Sequence, residues 1–174
     1  PGARTALVLH GGGGPQTVAP IVGHLAATMH ALAPTHPGWE GTARPEHIGS
    51  IADLASAYLS RLFDQGERDV VVVGSSIGGW IALEMAIQAA ADDRYAGVIG
   101  AVIDIDGVGV VVDGEPVADF FALDARGLAE AAWHDPDQGY RDPALLTDEQ
   151  RAILSSNGRT MAAVAGTHMS DATL

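Results

Sequence analysis

With 174 residues, 47% of them apolar, the chain is long enough to bury one hydrophobic core, and its length argues for a single domain rather than two. Its 22 acidic residues face nine basic ones, all arginine, and the net charge of −13 repels nucleic-acid phosphates and anionic membranes, excluding both as expected partners. The absence of cysteine excludes disulfides, thiolate metal sites and cysteine nucleophiles, fits a cytoplasmic location, and leaves serine, histidine and carboxylates to carry any chemistry.

Thr5 to His10 is a short apolar run ended by Gly11 to Gly14, which predicts a buried strand entering a loop of wide backbone freedom. Val18 to Ala31 carries apolar residues at helical spacing, and a second short strand is expected around Leu32 to Pro34. After the turn-rich stretch His36 to Arg44, the residues Ile51, Leu54, Ala55, Tyr58, Leu59 and Leu62 share one helical face within Ile51 to Phe63. Asp69 to Gly74 contains four consecutive valines and reads as a buried strand; the alanine-rich run Ile77 to Ala91 reads as a helix. A fourth strand is expected at Val98 to Ile105. Continuous Val and Ile strands alternating with helices define an α/β fold, a mostly parallel sheet covered on both faces.

Beyond Asp106 the pattern changes. Val108 to Val117 reads as a small hairpin around Asp113-Gly114, and helices are expected at Leu123 to Trp133 and Asp148 to Ala165, the latter opened by Thr147. The expected division is a core over 1–106, a mainly helical cap insertion over 107–170, and the start of a return to the core over 171–174. The longest apolar stretch, Val98 to Val112, is broken by Asp104 and Asp106 and falls short of a membrane span. Pro1 to Thr5 lack the basic start and apolar core expected of a signal peptide.

Two motifs carry chemistry. Gly74-Ser75-Ser76-Ile77-Gly78-Gly79 places Ser76, and not Ser75, between glycines at −2 and +2, at the junction of a valine strand and a helix. Such a turn lifts a serine hydroxyl above the sheet, and its flanks must be tiny because strand and helix approach closely there. His10-Gly11-Gly12-Gly13-Gly14-Pro15 follows the first strand directly. Phosphate binding is not supported by either glycine stretch, since neither gives G-x-G-x-x-G and the chain has no lysine for a Walker-type loop.

The stretches LVLHGGGGP, APTHPGWEGTARP and VVVGSSIGGWIALEMA, in that order, resemble the α/β-hydrolase superfamily; VIDIDGVGV and THMSDATL are similar to capped bacterial hydrolases of the esterase and meta-cleavage-product type. The resemblance implies that Ser76 is the nucleophile and that the backbone amides of Ile77 and of Gly12 or Gly13 form the oxyanion hole. It implies a structural part for His10 and for His36 to Trp39. It also implies that a triad acid and then a histidine follow the serine, so the chain is expected to stop before the segments that supply them. After Ser76 only His134 and His168 remain, and both are expected to be solvated. Asp106, at the end of the fourth strand, is the candidate acid within the chain, with Asp104 beside it.

The expected activity is hydrolysis of a small, mainly apolar ester or related carbonyl compound through an acyl-enzyme. Trp80, Phe120, Phe121, Trp133 and Met161 are the candidate pocket-lining residues. No cofactor is expected, and no metal, because histidines recur only at non-ligating spacing. The expected partners are a small-molecule substrate and either the absent C-terminal segment or a second copy of the chain. A carbon-carbon bond hydrolase is the nearest alternative, and a non-catalytic ligand-binding protein of the same fold is the rival from another class.

Overall fold

The computed structural model describes residues 3–166 and 168–171; residues 172–174, within the expected return to the core, lie outside the described residues. Four strands form one parallel sheet in the order β2-β1-β3-β4, with β1 at Thr5–Leu9, β2 at His30–Leu32, β3 at Val70–Ser75 and β4 at Ile99–Ile105. The two inner strands are the continuous apolar runs. Ala6, Leu7, Val8 and Leu9 pair with Val71, Val72, Val73 and Gly74, and both strands are buried along nearly their whole length.

Helices cover both faces because each parallel crossover must return over the sheet. The chain moves from β1 outward to β2, then back across to β3 and on to β4. Right-handed crossovers therefore put α1 (Ala19–Leu25) on one face and both α2 (Ile51–Asp64) and α3 (Ile77–Ala91) on the other. Ser50 caps α2 by accepting the Asp53 N–H at 3.1 Å, and Ile51, Leu54, Ala55, Leu59 and Leu62 form its buried stripe. Leu7, Leu9, Val70 and Val72 meet α2 and α3 in the main core, beside Ile77, Trp80, Ile81 and Met85.

Two local readings differ from the structure. The helical pattern over Val18 to Ala31 yields only a 3-10 turn at Pro15–Val18 and the seven-residue α1, and β2 starts at His30, whose N–H donates to the Arg4 carbonyl at 3.0 Å. A helix with no buried residue and no side-chain cap gains little from extension, while pairing beside β1 satisfies the backbone from His30 to Leu32. Pro34 lies past the strand because it has no N–H for a ladder.

The expected hairpin over Val108 to Val117 is not formed. Its turn exists, with the Glu115 N–H donating to the Val112 carbonyl at 3.1 Å, but the flanks do not pair with each other. Instead β5 (Gly109–Val110) pairs in parallel with β6 (Ser170–Asp171), and Pro116 removes a donor from the other arm. Between β5 and β6 run α4 (Ala125–Ala132), α5 (Pro136–Gly139) and α6 (Asp148–Ala165). Thr147 opens α6 with a reciprocal capping box to Gln150, in agreement with the sequence. No helix among the described residues is long and apolar enough to cross a membrane.

Close packing of α3 on β1 gives the first expected result. A methyl group on Gly78 would stand 2.6 Å from the Leu9 carbonyl carbon and 2.8 Å from the His10 carbonyl oxygen, and backbone cannot rotate away. Gly78→Ala should therefore lower stability by at least about 2 kcal/mol in urea unfolding. Gly23→Ala, in α1 with nothing within 4 Å of the added methyl, should raise it by about 0.5–1 kcal/mol.

Candidate active site

Ser76 sits at the tip between β3 and α3 with φ 55° and ψ −119°, a conformation that costs a non-glycine residue about 1–3 kcal/mol. The surroundings hold it there. The Ser76 N–H donates to the Ile105 carbonyl at 3.0 Å, and its own carbonyl accepts from Gly79 at 2.9 Å and Trp80 at 3.3 Å. Gly74 and Gly78 touch each other across the turn with no space for a side chain on either, which is the physical reason for glycine at both offsets. As the first residue of α3, Ile77 has an N–H that the helix itself does not use.

The glycine loop lies beside the serine. A methyl on Gly11 would stand 3.1 Å from the Ser76 Cβ, 3.2 Å from the Ser75 carbonyl oxygen and 3.6 Å from the Ser76 Oγ, a tight fit that glycine relieves where the loop passes the serine. The peptides that follow Gly11 are fixed by buried side chains. His10 Nδ1–H donates to the Gly11 carbonyl at 2.7 Å, and Trp39 Nε1–H donates to the Gly12 carbonyl at 3.1 Å. The C=O and N–H of a trans peptide point in opposite directions, so these two bonds also set where the Gly12 and Gly13 amides point.

Behind His10 the network continues and fixes both imidazole tautomers. The His36 N–H donates to His10 Nε2 at 3.0 Å, which leaves the His10 proton on Nδ1. His36 Nε2–H donates to the His10 carbonyl at 2.9 Å, and its Nδ1 accepts the Tyr58 hydroxyl at 2.7 Å. Both rings are fully buried. Burial, reinforced by the nearby His10, pushes the His36 pKa down to about 3; burial also lowers that of His10, against the opposing pull of its bond to Gly11 and the charge of Glu40.

Helix α6 covers the loop from the far side. Asn157 is 1% exposed, accepts the Glu40 N–H at 2.9 Å through Oδ1 and donates to the Glu40 carboxylate at 2.9 Å through Nδ2. Thr160 donates to the Gly38 carbonyl at 2.9 Å. A methyl on Gly12 would stand 2.7 Å from the Met161 sulfur, so the thioether rests on that glycine. Asn157, Glu40 and Thr160 were not singled out in the sequence, where the one signal is an Asn in mid-helix, a poor helix former placed where it faces inward.

The remaining candidates separate. Asp106 is exposed, has φ 49°, and lies in the Ile105–Val108 turn whose ends contact the Ser76 backbone. The Asp104 carboxylate lies instead against Gly79 and Gly107, beside the first turn of α3, where the helix dipole favours negative charge. Neither carboxylate is hydrogen-bonded to a histidine among the described residues. Trp80 is 4% exposed, packs in the main core against Gly109, and has an edge on a cavity lined also by Ile51, Glu84 and Val164. Phe120 is half-buried against that core, Phe121 is 37% exposed, and Trp133 is 53% exposed against Gly139. His134 and His168 are exposed. No group of three or more potential metal ligands occurs among the described residues.

A parallel sheet, a serine on a strained strand-to-helix tip and a glycine loop at its side define the α/β-hydrolase class. A sequence profile described as the alpha/beta hydrolase family matches residues 6–172, and the chain belongs to that family. Among solved structures it is similar to the N-acyl homoserine lactonase AidH in complex with N-hexanoyl homoserine, at TM-score 0.63 and 18% identity over 96% of this chain and 62% of that one. It is similar to the NocB thioesterase domain in covalent complex with a fluorophosphonate nocardicin G analogue, at TM-score 0.57 and 20% identity over 95% and 65%. It is also similar to a hydrolase from Pseudomonas aeruginosa, at TM-score 0.61 and 16% identity over 96% and 66%. These likenesses establish the fold, and the chain spans only about two thirds of the length of these structures. No curated protein matches the sequence.

Proposed function

We propose that the protein is a serine hydrolase that cleaves a small, apolar ester or a related activated carbonyl compound through an acyl-enzyme on Ser76. The observation that carries this reading is the strained conformation of Ser76 at the tip of β3, with Gly11 beside its hydroxyl. Backbone strain clusters at active sites, where it can be part of the mechanism. In the first step Oγ attacks the carbonyl carbon, its proton passes to a general base, and negative charge gathers on the carbonyl oxygen. The N–H of Ile77 and that of Gly12 or Gly13 would receive this charge. The carbon–oxygen bond to the leaving alcohol then breaks and the alcohol departs with the proton. Water attacks the acyl-enzyme in turn, releasing the acid and restoring Ser76.

His10 and His36 do not serve as the base, because the lone pair of each ring already accepts a hydrogen bond from within the buried network. His134 and His168 are both exposed, and His134→Ala and His168→Ala should leave the rate within about twofold of wild type. The decisive experiment is labelling of the protein with a fluorophosphonate, the chemistry that the NocB thioesterase domain carries in its covalent complex. Labelling should be stoichiometric, should map to Ser76, and should vanish in Ser76→Ala while persisting in Ser75→Ala. Labelling that survives Ser76→Ala would remove the assignment.

A further inference from the structure

We infer that Met161 sets the length of acyl chain admitted at Ser76, so that the preferred substrates are esters of short-chain acids; this rests on the reading of Ser76 as an acylated nucleophile. Gly11 lies beside the Ser76 side chain, and Gly12, the next residue, lies under the Met161 sulfur. Successive Cα atoms are about 3.8 Å apart, so nucleophile and thioether flank a single dipeptide. An acyl chain leaving the carbonyl over the glycine loop meets the thioether within a few carbons.

The methionine is held in place from both ends of its helix face. One turn before it, Asn157 is bonded to both the backbone N–H and the carboxylate of Glu40, and immediately before it Thr160 is bonded to Gly38. One turn after it, Val164 and Ala165 belong to the main core. Positions 157, 160, 161 and 164 share one face of α6, so the helix cannot lift Met161 away without breaking polar and apolar contacts together. Met161 is 6% exposed, whereas Leu154, two turns earlier on the same face and beyond the contacts with Glu40 and Gly38, is 46% exposed.

The test measures kcat/KM for p-nitrophenyl esters from acetate to octanoate, alongside fluorophosphonate labelling of Ser76. Wild-type protein should prefer the shortest acyl groups. Met161→Ala, which removes three heavy atoms, should raise the octanoate-to-acetate ratio at least about 10-fold, since one methylene in an apolar pocket is worth about that much discrimination. Met161→Leu, of similar volume, should keep the wild-type profile, and Leu154→Ala should leave it unchanged. A purely packing role for Met161 would lower the melting temperature without moving the ratio. If Met161→Ala yields too little folded protein, the milder truncation Met161→Val decides by the direction of the same shift. Ser76 labelled in all variants with an unaltered chain-length profile overturns the inference alone; absence of Ser76 labelling in wild type overturns both it and the hydrolase reading.

Discussion

Ser76→Gly is expected to abolish turnover, by about 10⁴- to 10⁶-fold in kcat, while making the protein more stable by about 1 kcal/mol. The two effects have one origin. Ser76 holds φ at 55° with a Cβ present, and glycine reaches that conformation at little steric cost while losing the hydroxyl that would carry the acyl group. Part of the relief is offset by the greater freedom of glycine in the unfolded chain, which is why the net gain is smaller than the strain itself. Ser76→Ala separates the contributions, since it removes the nucleophile but retains the strained Cβ. Urea midpoints should rank Gly above both Ser and Ala, with Ser and Ala nearly equal. A Gly variant no more stable than the Ala variant would mean that the tip stores no strain.

Stability should also fall as acid is added between about pH 6.5 and pH 5, before most carboxylates begin to protonate. In the unfolded chain His36 titrates near 6.5, whereas burial in the folded protein holds it down to about 3. Above 6.5 the ring is neutral in both states and the burial carries no protonation penalty. Below 6.5 the unfolded chain takes up a proton that the folded one refuses. Stability is therefore lost as pH falls toward the folded value, with a limiting slope of about 1.4 kcal/mol per pH unit for each such histidine. His10, shifted in the same direction, adds to the slope. Urea unfolding across this window should show the decline, and His36→Asn, though less stable at neutral pH, should show a shallower one. A flat profile from pH 6.5 to 5 in wild type would contradict the buried neutral pair.

Much of the architecture was legible because it is local. Four valines in a row can only be buried on both faces, and β3 and α3 lie where the residues 69 to 91 placed them. Thr147 marked the start of α6 because a capping box is complete within four residues. What stayed hidden depends on residues far apart in the chain. The bonds from Asn157 to Glu40 span 117 positions, and no periodicity announces them. The Asp113-Gly114 turn was read correctly, yet its flanks take no part in a hairpin, because Gly109 and Val110 find Ser170 and Asp171 instead. Trp80 shows a related limit: its place one turn past the serine is plain in the sequence, but its packing against Gly109 and its edge on the cavity beside Val164 depend on residues far along the chain.

The short pairing of β5 with β6 has a consequence for how such a protein changes over time. Gly109 and Ser170 lie side by side, so the whole excursion between them leaves and re-enters the molecule at one place. Lengthening a connection whose two ends are anchored, here by β5 and by the α6 helix tied to Glu40 and Gly38, costs little, about 0.6 kcal/mol for each doubling of a flexible loop. The stretch from Val111 to Thr147 can thus be exchanged, enlarged or trimmed while the sheet and the strained serine keep their geometry, which leaves inheritance free to remodel this stretch of the chain without having to solve the folding problem again.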